Sequence, residues 1–428
     1  TLRLLLSDMN WDIPAGEDHT FSFWFTLTPT RPMPEISRSH RMGKYYQTWI
    51  QPWEHFNYPE KGRIRMHEIK RSMNGYTEGF LYFSRFFIGP YAPEWGYWQE
   101  EWLSPGDPLG SKTGGDYKDT ATRNYANYVT VNAVPSYLNY WLNQFSAFVN
   151  EMPVYPGTEN YYFDYCLDTL KKPDGKKVTS LESTRRTGME IFVMTKAKNP
   201  ASRIMYHTSF QRAMPAIHFT DYMLEGEGPE PMIARDLGYF NIFTPEYVRA
   251  SFLSSMWGVR VAIIPQHKRA LDLFSPAVAA IFDPENPKFR KGILHFYAYM
   301  VTHDIEIQYA KELGSVVSLL INAQDKLGWN DNVKFHPYWK EDCGVKTLTN
   351  ANGKILVSAY TNSGRLMLAA LNDSDSEQNV QVLLDLKKLG VEAGLHGIDA
   401  YDQSSTWSLS SEWQANVPPR GFRLVVFQ

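Results

Sequence analysis

Cysteine is nearly absent from this sequence: Cys166 and Cys343 are the two present in 428 residues. A disulfide framework is therefore not what holds the chain together, and both thiols are expected reduced and mostly buried. Charge of one sign is lacking too, since 43 Lys and Arg stand against 46 Asp and Glu, a formal net charge of -3. No basic field exists of the kind that tracks phosphates, so nucleic acid is excluded as a partner. Apolar runs are short. Residues 261–265 and 316–321 fall far below the roughly 20 residues needed to cross a bilayer, so no membrane span is expected. Several chemical signatures are also missing: the P-loop, G-x-S-x-G, a strand-linked G-x-G-x-x-G, and zinc spacings of the His-x-Glu or Cys-x-x-Cys type.

What the chain has in abundance is aromatic surface: 15% of residues, with 13 Trp and 26 Tyr. Trp and Tyr offer an apolar face and a polar edge, the combination that stacks on the C–H face of a sugar. Any single ring is as readily explained by the core. Two clusters in polar surroundings are harder to explain that way: Tyr46, Trp49, Trp53, His55, Phe56 and Tyr58, then Tyr91, Trp95, Tyr97, Trp98 and Trp102.

The pattern divides the chain in three. Residues 1–35 contain strand-like stretches at 1–6 and 20–27 and read as the end of an N-terminal β domain. From 36 to 335, short apolar strands alternate with longer helical stretches, the mark of α/β organisation. Strands are expected at 45–50, 79–83, 160–163, 203–206, 216–220, 259–264 and 299–302, with 128–131 a weaker candidate. Helices are expected at 59–73, 136–151, 182–196, 245–256, 288–297 and 310–326. Seven or eight strands at this spacing fit a closed (β/α)8 TIM-type barrel better than an open sheet. From 336 to 428 alternating strands at 354–360, 365–372, 380–384 and 421–427 read as an antiparallel β-sandwich.

Such a barrel builds its active site at the C-terminal ends of its strands. The stretch Tyr161-Tyr162-Phe163-Asp164 places an acid after three aromatics, which makes Asp164 the first catalytic candidate. The next strand delivers His207. The stretch 216–228, AIHFTDYMLEGEG, then carries Asp221, Glu225 and Glu227. Carboxylates this close repel when ionised in a dry pocket, and one of them acquires the raised pKa of a general acid. Glycoside hydrolysis needs two carboxyl groups flanking the scissile bond. Asp164 paired with Glu227, or with Asp221, meets that need from different strands. The bland alternative makes Asp164 and Asp221 turn caps and Glu225 a solvated side chain. His303 and Asp304, read as the end of the last strand, join His207, Glu225, Trp49, Trp53 and Arg85 as substrate-binding candidates. A cation held by Asp221, Glu225 and Glu227 is the weaker reading; no metal and no cofactor are expected.

In several marks the sequence resembles bacterial glycoside-hydrolase-like proteins related to glycoside hydrolase family 123. These are Leu27-Thr28-Pro29-Thr30-Arg31-Pro32, the aromatic strand ending in Asp164, His207 followed by 219–227, His303-Asp304, Phe335-His336-Pro337-Tyr338-Trp339-Lys340, and 417–427 with Arg420, Phe422 and Arg423. The resemblance implies an N-terminal β-sandwich, a (β/α)8 catalytic domain and a C-terminal β-sandwich, and a secreted or periplasmic protein acting on carbohydrate. Family 123 uses an adjacent Asp-Glu pair with the substrate's acetamido group; here Tyr165 follows Asp164, which departs from that pattern. The expectation is an exo-acting, retaining glycosidase with Asp164 as nucleophile and Glu227 as acid/base. The alternatives are a non-catalytic carbohydrate-binding protein on the same fold, and a uronic-acid-directed enzyme using Arg85. Sugar, linkage and oligomeric state are not encoded in any readable pattern.

Overall fold

The computed structural model describes residues 27, 29–32, 38, 41, 45–49, 78–84, 87–88, 94–102, 129–130, 134–151, 160–164, 169–171, 177–208, 214–226, 241–264, 287–308, 314–349 and 351–428. The expected helix at 59–73 and the expected strand at 1–6 lie outside them, as does 20–27 apart from residue 27.

Seven strands form one parallel sheet: β1 (Tyr45–Trp49), β2 (Glu78–Ser84), β3 (Asn160–Asp164), β4 (Ile204–His207), β5 (Tyr222–Glu225), β6 (Arg260–Ile263) and β7 (Glu306–Ile307). Their spatial order follows chain order without reversal. Right-handed crossovers that always step the same way leave all helices on one face, so the sheet curls into a barrel instead of a doubly wound sheet. Between these strands lie α1 (Pro135–Glu151), α2 (Leu181–Lys198), α3 (Pro245–Phe252) and α4 (Pro287–Thr302), and α5 (Gly314–Leu327) follows β7. Local chemistry sets their ends. Glu182 stands in the first turn of α2, with Lys196 and Lys198 in its last, each favoured by the helix dipole. α3 starts at Pro245 behind Thr244, whose Oγ1 accepts from Tyr247 N at 3.1 Å.

Two expected strands are overturned. Residues 299–302 are the last turn of α4, and 216–220 include a helical turn, Met214–Ile217, with the strand starting only at Tyr222. The weak candidate at 128–131 is a strand, Val129–Thr130, but it pairs antiparallel with Phe87–Ile88 outside the parallel sheet.

Strand alternation sorts the barrel's side chains. Phe80, Met205, Tyr222, Leu224 and Ala262 form the inner cluster, with Tyr82 and Ile264 packed on it. Their neighbours Leu81, Ile204, Tyr206, Met223 and Ile263 face the helices.

The strands that follow β7 are β8 (Lys334–His336), β9 (Val345–Thr347), β10 (Ile355–Asn362), β11 (Arg365–Asn372), β12 (Gln378–Leu384), β13 (His396–Asp399), β14 (Thr406–Ser408), β15 (Glu412–Val417) and β16 (Phe422–Phe427). They form a six-stranded sheet, ordered β8-β10-β11-β16-β13-β14, and a three-stranded sheet, β9-β12-β15. The central strands of the larger sheet are buried on both faces. Val357, Ala359, Leu368, Ala370, Val425 and Phe427 point into the sandwich core. Leu356, Tyr360, Met367, Leu371, Leu424 and Val426 point the other way and share a core with Phe296 and Tyr299 of α4 and Leu320 of α5. Polar contacts lock this junction: Tyr360 OH donates to Val301 O at 2.6 Å, Ser358 Oγ to Thr302 O at 2.7 Å, and Tyr299 OH to Asp373 at 2.6 Å. Cys343 is buried and free, while Cys166 lies outside the described residues. No described helix is long and apolar enough to cross a membrane.

Candidate active site

The sheet has two rims, and chain direction assigns each residue to one. At the C-terminal rim the register runs Ser84, Asp164, His207, Leu224 across β2 to β5, then Glu225, Ile263, Ile307 across β5 to β7. Asp164 and His207 are thus direct neighbours at the last positions of adjacent strands, with Glu225 ending the next strand.

His207 is buried, 5% exposed, and two residues beyond the inner Met205. Its ring meets Tyr82 edge-on, centroids 6.3 Å apart at 80°, so both close the inner core from above. Glu225, 6% exposed, lies on the opposite parity. Thr208 Oγ1 donates to its Oε2 at 2.7 Å and Gly226 N to its Oε1 at 3.0 Å. Gly226 has φ +139, and a Cβ there would stand 2.3 Å from Ile264 O. Only glycine fits that close approach of β5 and β6.

The other rim holds candidates that sequence reasoning placed in the site. Asp221 does not end a strand; it precedes β5 and therefore belongs to the N-terminal floor. Its Oδ2 accepts from Lys196 Nζ and Ile204 N, both at 2.9 Å, and its Oδ1 from Arg31 at 3.1 Å. Arg31 also donates to Thr220 O, and Thr30 N to Trp257 O at 3.0 Å. The Thr-Arg of the LTPTRP stretch thus fastens to the floor, and Asp221 is its anchor, not a catalytic acid. His303 and Asp304 likewise form the turn between α4 and β7 and stand on the same floor. Asp304, at φ 59, takes both guanidinium nitrogens of Arg38 at 2.6 Å and lies 3.6 Å from Arg260. His303 is sealed between Tyr338 OH at 2.9 Å and Tyr299 O at 2.7 Å, stacked on Trp339, and burial pushes its pKa down to about 4. Neither is a substrate-binding group. Arg260, inside the barrel beneath Leu224 and Ala262, pairs with Glu306, and Arg203 donates to Tyr222 OH at 2.9 Å. A charged layer closes the floor under an apolar one.

Trp49 ends β1, and Asp164 is placed through its strand. Glu227, Trp53 and Arg85 lie outside the described residues. Of the second aromatic cluster, Trp95 and Trp102 are core residues of the helix Trp95–Trp102, while Tyr97 and Trp98 are exposed. Among the described residues, no group of three His, Cys, Asp or Glu is placed to hold a metal ion. Sequence reasoning missed Tyr82, and also Gln308 one residue past β7, because a two-residue strand leaves no periodic signal.

Residues 319–407 match the family model described as "Glycoside hydrolase 123, C-terminal domain". Over that stretch the chain is similar to the C-terminal domain of glycoside hydrolase family 123. The match begins inside α5 and runs through the sandwich to β14. Comparison with curated proteins found no match. Similar solved structures include the maltogenic α-amylase AmyB from Thermotoga neapolitana (13% identity, TM-score 0.48, covering 84% of this chain and 79% of that one). Others are the α-amylase from Geobacillus thermoleovorans complexed with acarbose (10%, 0.49, 86% and 80%) and a GH27 β-L-arabinopyranosidase from Geobacillus stearothermophilus (12%, 0.46, 94% and 97%). None of these likenesses bears on the reaction.

Proposed function

We propose that the C-terminal rim of the barrel hydrolyses a glycosidic bond in a poly- or oligosaccharide, from a chain end and with retention. Asp164 is the nucleophile in this reading and Glu227, in the stretch that follows β5, the acid/base. The observation that carries it is the register: Asp164 beside His207, with the β5 end, Leu224 and Glu225, on the far side of His207. Asp164 attacks the anomeric carbon while the second carboxyl group protonates the departing glycosidic oxygen. The resulting glycosyl ester is then cleaved by water that gives its proton to the same second group. Strands β3 and β5 are two apart in the sheet, about 9.6 Å at ~4.8 Å per step, a span that two carboxyl groups flanking one glycosidic bond can share. His207 holds a sugar hydroxyl, and Tyr82 fixes its ring. A secreted or periplasmic location, where polysaccharides are met, goes with this reading; fractionation tests it.

The test is sugar release from a panel of polysaccharides and 4-nitrophenyl glycosides by wild type, D164N and E227Q, with the product anomer read by NMR. Release by wild type alone, with the anomer unchanged, supports the reading. An inverted product overturns retention. Binding that survives both substitutions without any turnover replaces the enzyme with a carbohydrate-binding protein.

A further inference from the structure

Gln308 stands at the same rim as His207, on the far strand of the described sheet. Its backbone N donates to Ile263 O at 2.9 Å, which carries the β6–β7 pairing one residue past Ile307. Ala262 of the inner cluster pairs with Glu306. Alternation therefore puts Gln308, two residues on, over the barrel's interior at the level of Ile264. There its amide oxygen is buried and has no hydrogen-bond partner among the described residues. A buried acceptor left unmade costs about 1–3 kcal/mol, and such groups in a native fold call for a reason. The floor of the same barrel shows the contrast, since the polar groups of Asp221, Asp304 and Arg260 are all engaged.

We infer that the side-chain carbonyl of Gln308 is a specificity-determining acceptor for a hydroxyl of the sugar bound at the rim. This inference rests on the glycosidase reading above and deepens it: the substrate carries a free hydroxyl at the position that meets Gln308, not a deoxy, methyl-ether or ester group. The terminal amide torsion of glutamine is broad and two-fold, so a turn about it brings the oxygen to the substrate. An acceptor unmatched in the free protein and matched in the complex rejects analogues lacking the donor far more strongly than an apolar pocket does.

The experiment uses the 4-nitrophenyl glycoside that wild type cleaves, together with its monodeoxy analogues, on wild type, Q308M and Q308E. Methionine keeps the length and removes the acceptor; glutamate keeps the acceptor. Q308M is expected to melt about 1–3 °C higher than wild type, because an oxygen buried with no partner among the described residues is gone. On the fully hydroxylated substrate it loses about 10–100-fold in kcat/KM, mostly through KM, while one monodeoxy analogue is cleaved equally by both proteins. Q308E retains discrimination against that analogue. A kcat/KM for Q308M within twofold of wild type overturns the inference. So does a loss of melting temperature with an equal loss on every analogue, the pattern of a structural glutamine. Wild type inert on every glycoside sinks the enzyme reading, and this inference with it; an active wild type beside an indifferent Q308M sinks the inference alone.

Discussion

The two rims of the barrel use the same residue types for opposite work. On the N-terminal floor, Asp221 is shared by Arg31, Lys196 and a strand N–H, Asp304 by Arg38 and Arg260, and Glu306 by Arg260. On the C-terminal rim, Glu225 is oriented by a hydroxyl and a backbone N–H, and Gln308 keeps an acceptor unmatched among the described residues. Carboxylates on the floor join segments far apart in the chain. Those on the rim, Asp164 and Glu225, close strands and tie no distant segment to the sheet in the described contacts. Which end of a strand a residue stands on, not its type, decides its role.

The contrast breaks most sharply if substitutions on the two rims exchange their effects. D164N is expected to lower kcat on the order of 10³-fold with an unchanged melting curve, read by initial rates and calorimetry. D221N should behave in the reverse way. Removing a charge that faces Arg31 and Lys196 should lower unfolding free energy by about 3 kcal/mol in urea titrations while KM holds. A D221N protein that folds normally and fails to turn over would return Asp221 to the site.

Acid sharpens the comparison, because the floor contains a histidine held neutral. His303 is shifted from 6.5 to about 4 by burial. Its folded-state pKa lies below that of the unfolded chain, so protonation favours unfolding. Its contribution is complete above about pH 6.5 and is lost as pH falls towards 4, at most about 3 kcal/mol. Buried His295 is lowered in the same direction, also by desolvation first. H303N should flatten the stability profile between those pH values while leaving the pH profile of kcat in place. The smallest effect belongs to the solvent side of α2. There Arg186 and Glu190 pair at 2.6 Å in the open, and E190Q should change stability by less than about 0.5 kcal/mol.

Much of the architecture was legible in the sequence. The strands containing Tyr161 and Met205, and the alternating strands of the sandwich, follow from apolar runs and turns. What failed were two short apolar stretches where periodicity has no purchase. Tyr299 to Thr302 close a helix of 16 residues, buried against both the barrel and the sandwich. A helix apolar on both sides shows no polar stripe, and its aromatic and β-branched end mimics a strand. At 216–220 a single helical turn did the same. Each error lay only a few residues from the true strand, yet each moved a carboxylate to the opposite rim, because Asp221 and Asp304 begin strands they were expected to end. The same shift left Glu225 as the residue at the β5 terminus.

The central strands β10 and β11 of the six-stranded sheet have no solvent face to give up. The sheet's outward residues Met367, Leu371, Leu424 and Val426 are the lining of α4 and α5 as much as of the sandwich. A graft of the sandwich onto a foreign barrel would have to bring those helices with it. The family match accordingly begins inside a helix and not at a loop, at residue 319, within Gly314–Leu327. The matched stretch thus takes with the sandwich strands part of the helix that covers them.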